Sequence, residues 1–156
     1  MRPGVTQAPP SGTTDPVMGN NTATAETTVT APNNPPEGTD NAVSTNEDTS
    51  YSFAAADFGF TDPSDTPPDA LLAVKITTVA TNGKLKLSGV DVTAGQLIPV
   101  ADINAGDLKF FPDANENGTP YASFTFQVQD DGGTANGGVN LDPTANTLTM
   151  NVTAVP

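Results

Sequence analysis

The sequence predicts an all-β fold, a β-sandwich of about seven short strands behind a flexible N-terminal arm. Three observations carry that expectation. Apolar and polar residues alternate in short runs, and Asn, Asp, Gly and Pro separate those runs. No amphipathic helix of functional length appears anywhere in the 156 residues.

Residues 1–36 are built mainly from Thr, Pro, Ala, Asn and Gly, without a single Leu, Ile or Phe. Such a segment cannot bury enough apolar surface to offset its ordering entropy, so it is expected to be an arm or linker, with the folded domain at 37–156. Glu26-Thr27-Thr28-Val29-Thr30-Ala31-Pro32 echoes the ending Thr149-Met150-Asn151-Val152-Thr153-Ala154-Val155-Pro156. The echo reads as the last strand of a preceding repeat, followed by the linker Asn33-Asn34-Pro35-Pro36. Glu26, Thr28, Val29, Asn33 and Asn34 are therefore candidate interface residues. They would meet a neighbouring repeat or, by strand donation, the open edge of an identical subunit.

From Thr39 onward the pattern is nearly all β. Tyr51 and Phe53 alternate with Ser50 and Ser52, and Leu72, Val74 and Ile76 alternate with Ala73, Lys75 and Thr77. Asn82-Gly83 is the preferred pair for a tight hairpin turn and leads into Leu85 and Leu87. Further strands are expected at Gln96–Val100, Leu108–Phe111, Tyr121–Gln129 and Thr147–Val155. Ala54–Phe58 and Val100–Asn104 read as short helical turns.

Composition excludes several functions. There is no Cys and no His, which removes disulfides, thiolate metal sites, the usual general base and most zinc chemistry. Eighteen acids against five bases give a net charge of −13. Such a surface repels nucleic acid and attracts cations. No apolar run approaches the ~20 residues that cross a bilayer. Met1 to Gln7 lack the apolar core of a signal peptide, so either export uses another route or the coding region has been trimmed.

The candidate chemistry is cation binding. Asp113, Asn115, Asn117 and Gly118 reproduce the first half of a calcium loop, in which a hard cation takes six to eight oxygens. The twelfth position is Phe124, a core residue, so this is not an EF-hand. A second cluster gathers across the sequence: Glu47 and Asp48 before Tyr51, Asp62 and Asp65 after Phe60, and Asp130 and Asp131 after Val128. These carboxylates converge if the first and penultimate strands end at one pole, and a divalent ion would relieve their repulsion. Tyr51 and Tyr121 are the thin aromatic basis for an alternative, carbohydrate-binding module. No base stands ready to activate Ser or Thr, and an enzyme is not expected.

Asn117-Gly118-x-x-Tyr121-x-x-Phe124-x-Phe126-x-Val128-x-Asp130-x-Gly132 resembles the closing half of bacterial cadherin-like tandem repeats of RTX-type surface adhesins. Asn46-Glu47-Asp48-Thr49 resembles the opening of that repeat, and Asn33-Asn34-Pro35-Pro36 its linker. The resemblance implies a cadherin-like, immunoglobulin-like Greek-key sandwich. It further implies Ca²⁺ at an inter-repeat junction, with Asp130 as ligand and Glu47 joining it. The expected function is a non-catalytic, calcium-stiffened spacer or adhesive module in a tandem array, extracellular or on a bacterial surface. An alternative is a self-assembling fibre or virion-decorating subunit that uses the N-terminal arm.

Overall fold

A computed structural model describes residues 27–156 of the chain. The chain divides into two units, Met1–Thr30 and Ala31–Pro156. In the first, residues 27–30 form no strand, and Thr28 and Val29 are exposed. The expected strand over 26–32 is thus not formed by its described residues, and Glu26 lies outside them.

Within the second unit, nine strands form two sheets. They are β1 (Asn41–Asn46), β2 (Tyr51–Ser52), β3 (Leu71–Thr78), β4 (Lys84–Leu87), β5 (Val90–Asp91), β6 (Leu97–Pro99), β7 (Leu108–Phe111), β8 (Gly118–Asp130) and β9 (Asn146–Thr153). One sheet runs β1-β9-β8-β3-β6 and the other β2-β7-β4-β5. The five-stranded sheet is antiparallel apart from β1, which lies parallel to β9. Two expected helical turns form as a 3₁₀ turn, Ala55–Phe58, and a short helix α1, Val100–Asn104.

Period-two alternation decides which side chains enter the core. Phe124, Phe126 and Val128 of β8 are buried, as are Val74 and Ile76 of β3 and Leu148, Met150 and Val152 of β9. Leu85, Leu108 and Phe110 join the same cluster from the second sheet, so the two sheets share one core. Aromatic edges lock it: Phe58 meets Phe126 at 5.0 Å and Phe53 meets Phe124 at 5.6 Å between ring centroids. T-shaped pairs of this kind add to the burial of their area.

Two local expectations are overturned. Asn82-Gly83 does not close a hairpin between its neighbours. β3 belongs to the five-stranded sheet, whereas β4 pairs with β5 and β7, so the turn carries the chain from one sheet to the other. Gly83 has φ +69°, and a Cβ there would strike the Phe110 ring and the Phe111 carbonyl. Leu72 leaves the face shared by Val74 and Ile76 because a register shift between Leu71 and Ala73 turns it outward, 46% exposed.

The domain boundary also moves toward the N-terminus. Asn33 O accepts from Val139 N, and Glu37 and Thr61 exchange two backbone bonds of 2.8 Å. Pro36 is buried. The linker Asn33–Pro36 is therefore part of the folded unit.

Candidate cation site at the linker pole

The eight acids and amides singled out as metal ligands fall at two opposite ends of the five-stranded sheet. Glu47 continues β1, and its N–H bonds to Thr153 O at the end of β9. That end of β9 pairs with Gly118, the first residue of β8. Asp130 is the last residue of β8, twelve positions on, which is roughly 35–40 Å of strand. Glu47 and Asp48 therefore do not converge with Asp62, Asp130 and Asp131. That expectation is corrected by the antiparallel course of β8 against β9 and the parallel course of β1.

At the distal pole, Glu47 and Asp48 instead meet the 113–117 loop. Asn115 N donates to Asp48 Oδ1 (2.9 Å), Val155 N to Glu47 Oε1 (2.9 Å) and Asn117 Nδ2 to Glu47 Oε2 (3.5 Å). Asp113 Oδ2 accepts from Gly83 N (2.9 Å) and lies 3.3 Å from the Tyr121 hydroxyl. Asn115 sits in the left-handed region at φ 60°. These acceptors are already served by the protein, and the loop closes through its own hydrogen bonds.

The linker pole is different. Asp62, Asp65 and Asp69 offer carboxylate oxygens within 4.8 Å of one another. Asp130 stands beside them, wholly buried, and Asp62 is 5% exposed. Asn33 Nδ2 and Gly132 N both donate to the same Asp130 oxygen, Oδ1, at 2.8 and 2.9 Å. Asp130 Oδ2 is left buried without a partner, and so are Asp62 Oδ1 and Asn33 Oδ1. A Cβ built on Gly132 would collide with both Asn33 Oδ1 and Asp69 Oδ2, so these oxygens crowd one small space.

Electrostatics mark the same place. Burial, then the charges of Asp130, Asp62, Asp65 and Asp131, raise the Asp69 pKa above 3.8. Burial also raises that of Asp130. Hydrogen bonds from Asn33 and Gly132 pull the other way, and Asp62 and Asp65 add to the rise. A buried carboxylate oxygen with neither a donor nor a counter-ion is costly, by several kcal/mol in general. A hard cation would compensate by coordinating the oxygen and neutralising its charge. Asp62, Asp65 and Asp69 form an oxygen cluster able to hold a divalent cation, with Asp130 and Asn33 at its edge.

Loop and linker are folded around these groups. Asp65 accepts from Asn34 N (3.0 Å) and Asn34 Nδ2 (2.9 Å), and Asp62 Oδ2 from Asp69 N (2.5 Å). Asp131 Oδ1 accepts from Ala70 N (2.8 Å) while its own N–H returns to Ala70 O (3.0 Å). Asp131 thus acts as a clip on the 62–70 loop. Asn33 and Asn34, expected to face a neighbour, are held by their own domain. Asp69 escaped the sequence reading. Its signal is the spacing Asp62-x-x-Asp65-x-x-x-Asp69 in a Pro-rich loop.

The two tyrosines are engaged within the domain. Tyr121 is 8% exposed, and Tyr51 packs edge-on against Phe53 with its hydroxyl bonded to Asp57. Among the described residues no helix is long and apolar enough to cross a membrane. The fold and site together define a mostly-β domain of two sheets with an acidic cluster able to coordinate a divalent cation. No protein-family model matches the chain, and no curated protein matches it.

Proposed function

We propose that this is a non-catalytic structural module, a cadherin-like β-sandwich used as a calcium-stiffened spacer or adhesive unit in an extracellular array. The observation that carries the reading is the trio of unpartnered buried oxygens on Asn33, Asp62 and Asp130. Asp130 ends β8, Asp62 lies in the loop before β3, and Asn33 stands at the N-terminal edge of the same folded unit. A cation held among them would tighten that edge, which the Asn33 hydrogen bonds already hold.

The strand courses support a role in series. The linker meets the domain at the Asp130 end of β8, and β9 finishes at the opposite end beside Glu47. Tension applied through the two poles would run along β8 and β9, loading their shared hydrogen bonds together. The partners in this reading are sibling repeats or identical subunits, and the cell surface is the expected setting.

The direct test is differential scanning calorimetry with Ca²⁺ and with chelator. A ligand that binds only the folded form stabilises by about 2.7 kcal/mol at a hundredfold excess over Kd. Identical melting in the two conditions would falsify the cation-dependent reading.

A further inference from the structure

The strands exclude acids. Of the 16 acidic residues in 27–156, only Asp91 and Asp130 lie on strands, whereas all four lysines of that region, Lys75, Lys84, Lys86 and Lys109, do. Three of the lysines share one surface. Leu85 and Leu108 point into the core, and alternation sends Lys84, Lys86 and Lys109 to the outer face of the four-stranded sheet. Lys86 stands directly opposite Lys109, and Lys84 opposite Phe111.

Two ammonium groups facing each other across an antiparallel pair repel. Among the described residues the one ion pair is Lys86 with Asp91, so Lys84 and Lys109 have no carboxylate partner despite the large excess of acid. Phe111, 37% exposed, lies beside them. This is a positive, partly aromatic patch on a strongly negative molecule.

The geometry points to this face as a docking surface for the acidic distal loops of a second copy of the chain. Asp48, Asp113 and Glu116 are all exposed at that pole. The bond from Asn115 N to Asp48 Oδ1 ties the two loops together, so three carboxylates are presented as one group to the two ammonium groups, Lys84 and Lys109, that Asp91 leaves unpaired. Within one copy they are turned elsewhere: Asp113 accepts from Gly83 N, and Glu116 Oε1 lies 3.1 Å from the Tyr121 hydroxyl. The contact joins unlike surfaces, so it can pass from copy to copy as an open chain or a closed ring. It is lateral, adding side-to-end association between chains, and it needs no cation.

The test is sedimentation velocity on the full chain in chelator, which separates it from the cation reading. The expected result is concentration-dependent association at about 0.1 M salt, where a screening length of about 10 Å masks the long-range repulsion between like-charged copies, and its disappearance near 1 M, where that length falls to about 3 Å. Lys84→Gln with Lys109→Gln should weaken it roughly tenfold or more, while Lys84→Arg with Lys109→Arg preserves it. Carbodiimide cross-linking should join Lys84 or Lys109 to Asp48, Asp113 or Glu116 of another copy. A chain that stays monomeric at every salt concentration overturns the proposal, as does association indifferent to the Gln pair. Cross-links to other carboxylates overturn it too. Lysine-dependent binding of an acidic polysaccharide by a monomeric chain would assign the face to a different occupant.

Discussion

Glu47 and Asp130 terminate opposite ends of one sheet, separated by the length of β8, and each holds a different chain segment in place. Glu47 receives the backbone N–H of Val155 at the distal pole. Asp130 receives the Asn33 side chain at the linker pole. The two acids are therefore separable by mutation. Asp130→Asn keeps the side-chain shape and an acceptor for Asn33 and Gly132 but removes the charge. Calorimetry should find that the Ca²⁺-induced rise in melting temperature is lost in this variant. Glu47→Gln, by contrast, should retain the rise, since its effect is confined to distal hydrogen bonds worth about 1 kcal/mol each. A lost calcium response in Glu47→Gln would contradict the separation of the poles.

Asn33 is a keystone of the linker pole. Its Nδ2 faces Asp130 Oδ1, Gly133 O (3.2 Å) and Val139 O (2.9 Å). Asn33→Ala removes those donors and leaves acceptors unserved near a buried charge. The expected loss is about 2–4 kcal/mol in chelator, measured by urea denaturation. Faster proteolysis within 31–36 should accompany it, because the linker is no longer fastened. Unchanged stability would mean that the linker contributes nothing to the pole.

Much of this was legible beforehand, and the failures have physical causes. Alternation located β7, β8 and β9 closely, since Leu108, Phe110, Phe124, Phe126, Val128, Leu148 and Met150 report burial residue by residue. The 3₁₀ turn and α1 were legible for a different reason: they are short apolar segments outside any alternation. Asn82-Gly83 misled because a turn signal specifies local backbone and is silent on which sheet receives the next strand. The closeness of Asp62 and Asp65 was legible, since the two were read as one group and do lie together. Their partition from Glu47 and Asp48 was not, because polarity along a sheet depends on the parallel pairing of β1 with β9. Asp69 was hidden in a proline-rich loop whose shape no periodicity describes.

Gly132 tests whether the cluster needs its open space. It is not in the left-handed region, so alanine brings no backbone strain there. The added methyl would overlap Asn33 Oδ1 and Asp69 Oδ2. Gly132→Ala should destabilise by about 1–3 kcal/mol through overpacking. It should also weaken Ca²⁺ binding, measured by isothermal titration calorimetry, by splaying two ligands. Wild-type affinity in a folded Gly132→Ala variant would show that the cation binds elsewhere.

Acidification should act with opposite signs in chelator and in calcium. Asp69 and Asp130 have folded pKa values raised above 3.8, chiefly by burial and then by each other's neighbourhood of carboxylates. The neighbouring charges that add to these rises are Asp62 and Asp65 for both groups, with Asp130 and Asp131 acting on Asp69 as well. Between the ordinary and the raised values the folded form binds more protons than the unfolded form. Stability contributed by these two groups therefore increases as pH falls through their raised values and levels off below 3.8. With Ca²⁺ bound the same carboxylates are stabilised as anions, so protons compete with the ion and acid removes its contribution. Melting temperatures measured from neutral pH down to about 4 should thus converge for the two conditions, the chelated sample gaining ground relative to the calcium sample. Curves that stay parallel would place the cation away from Asp69 and Asp130.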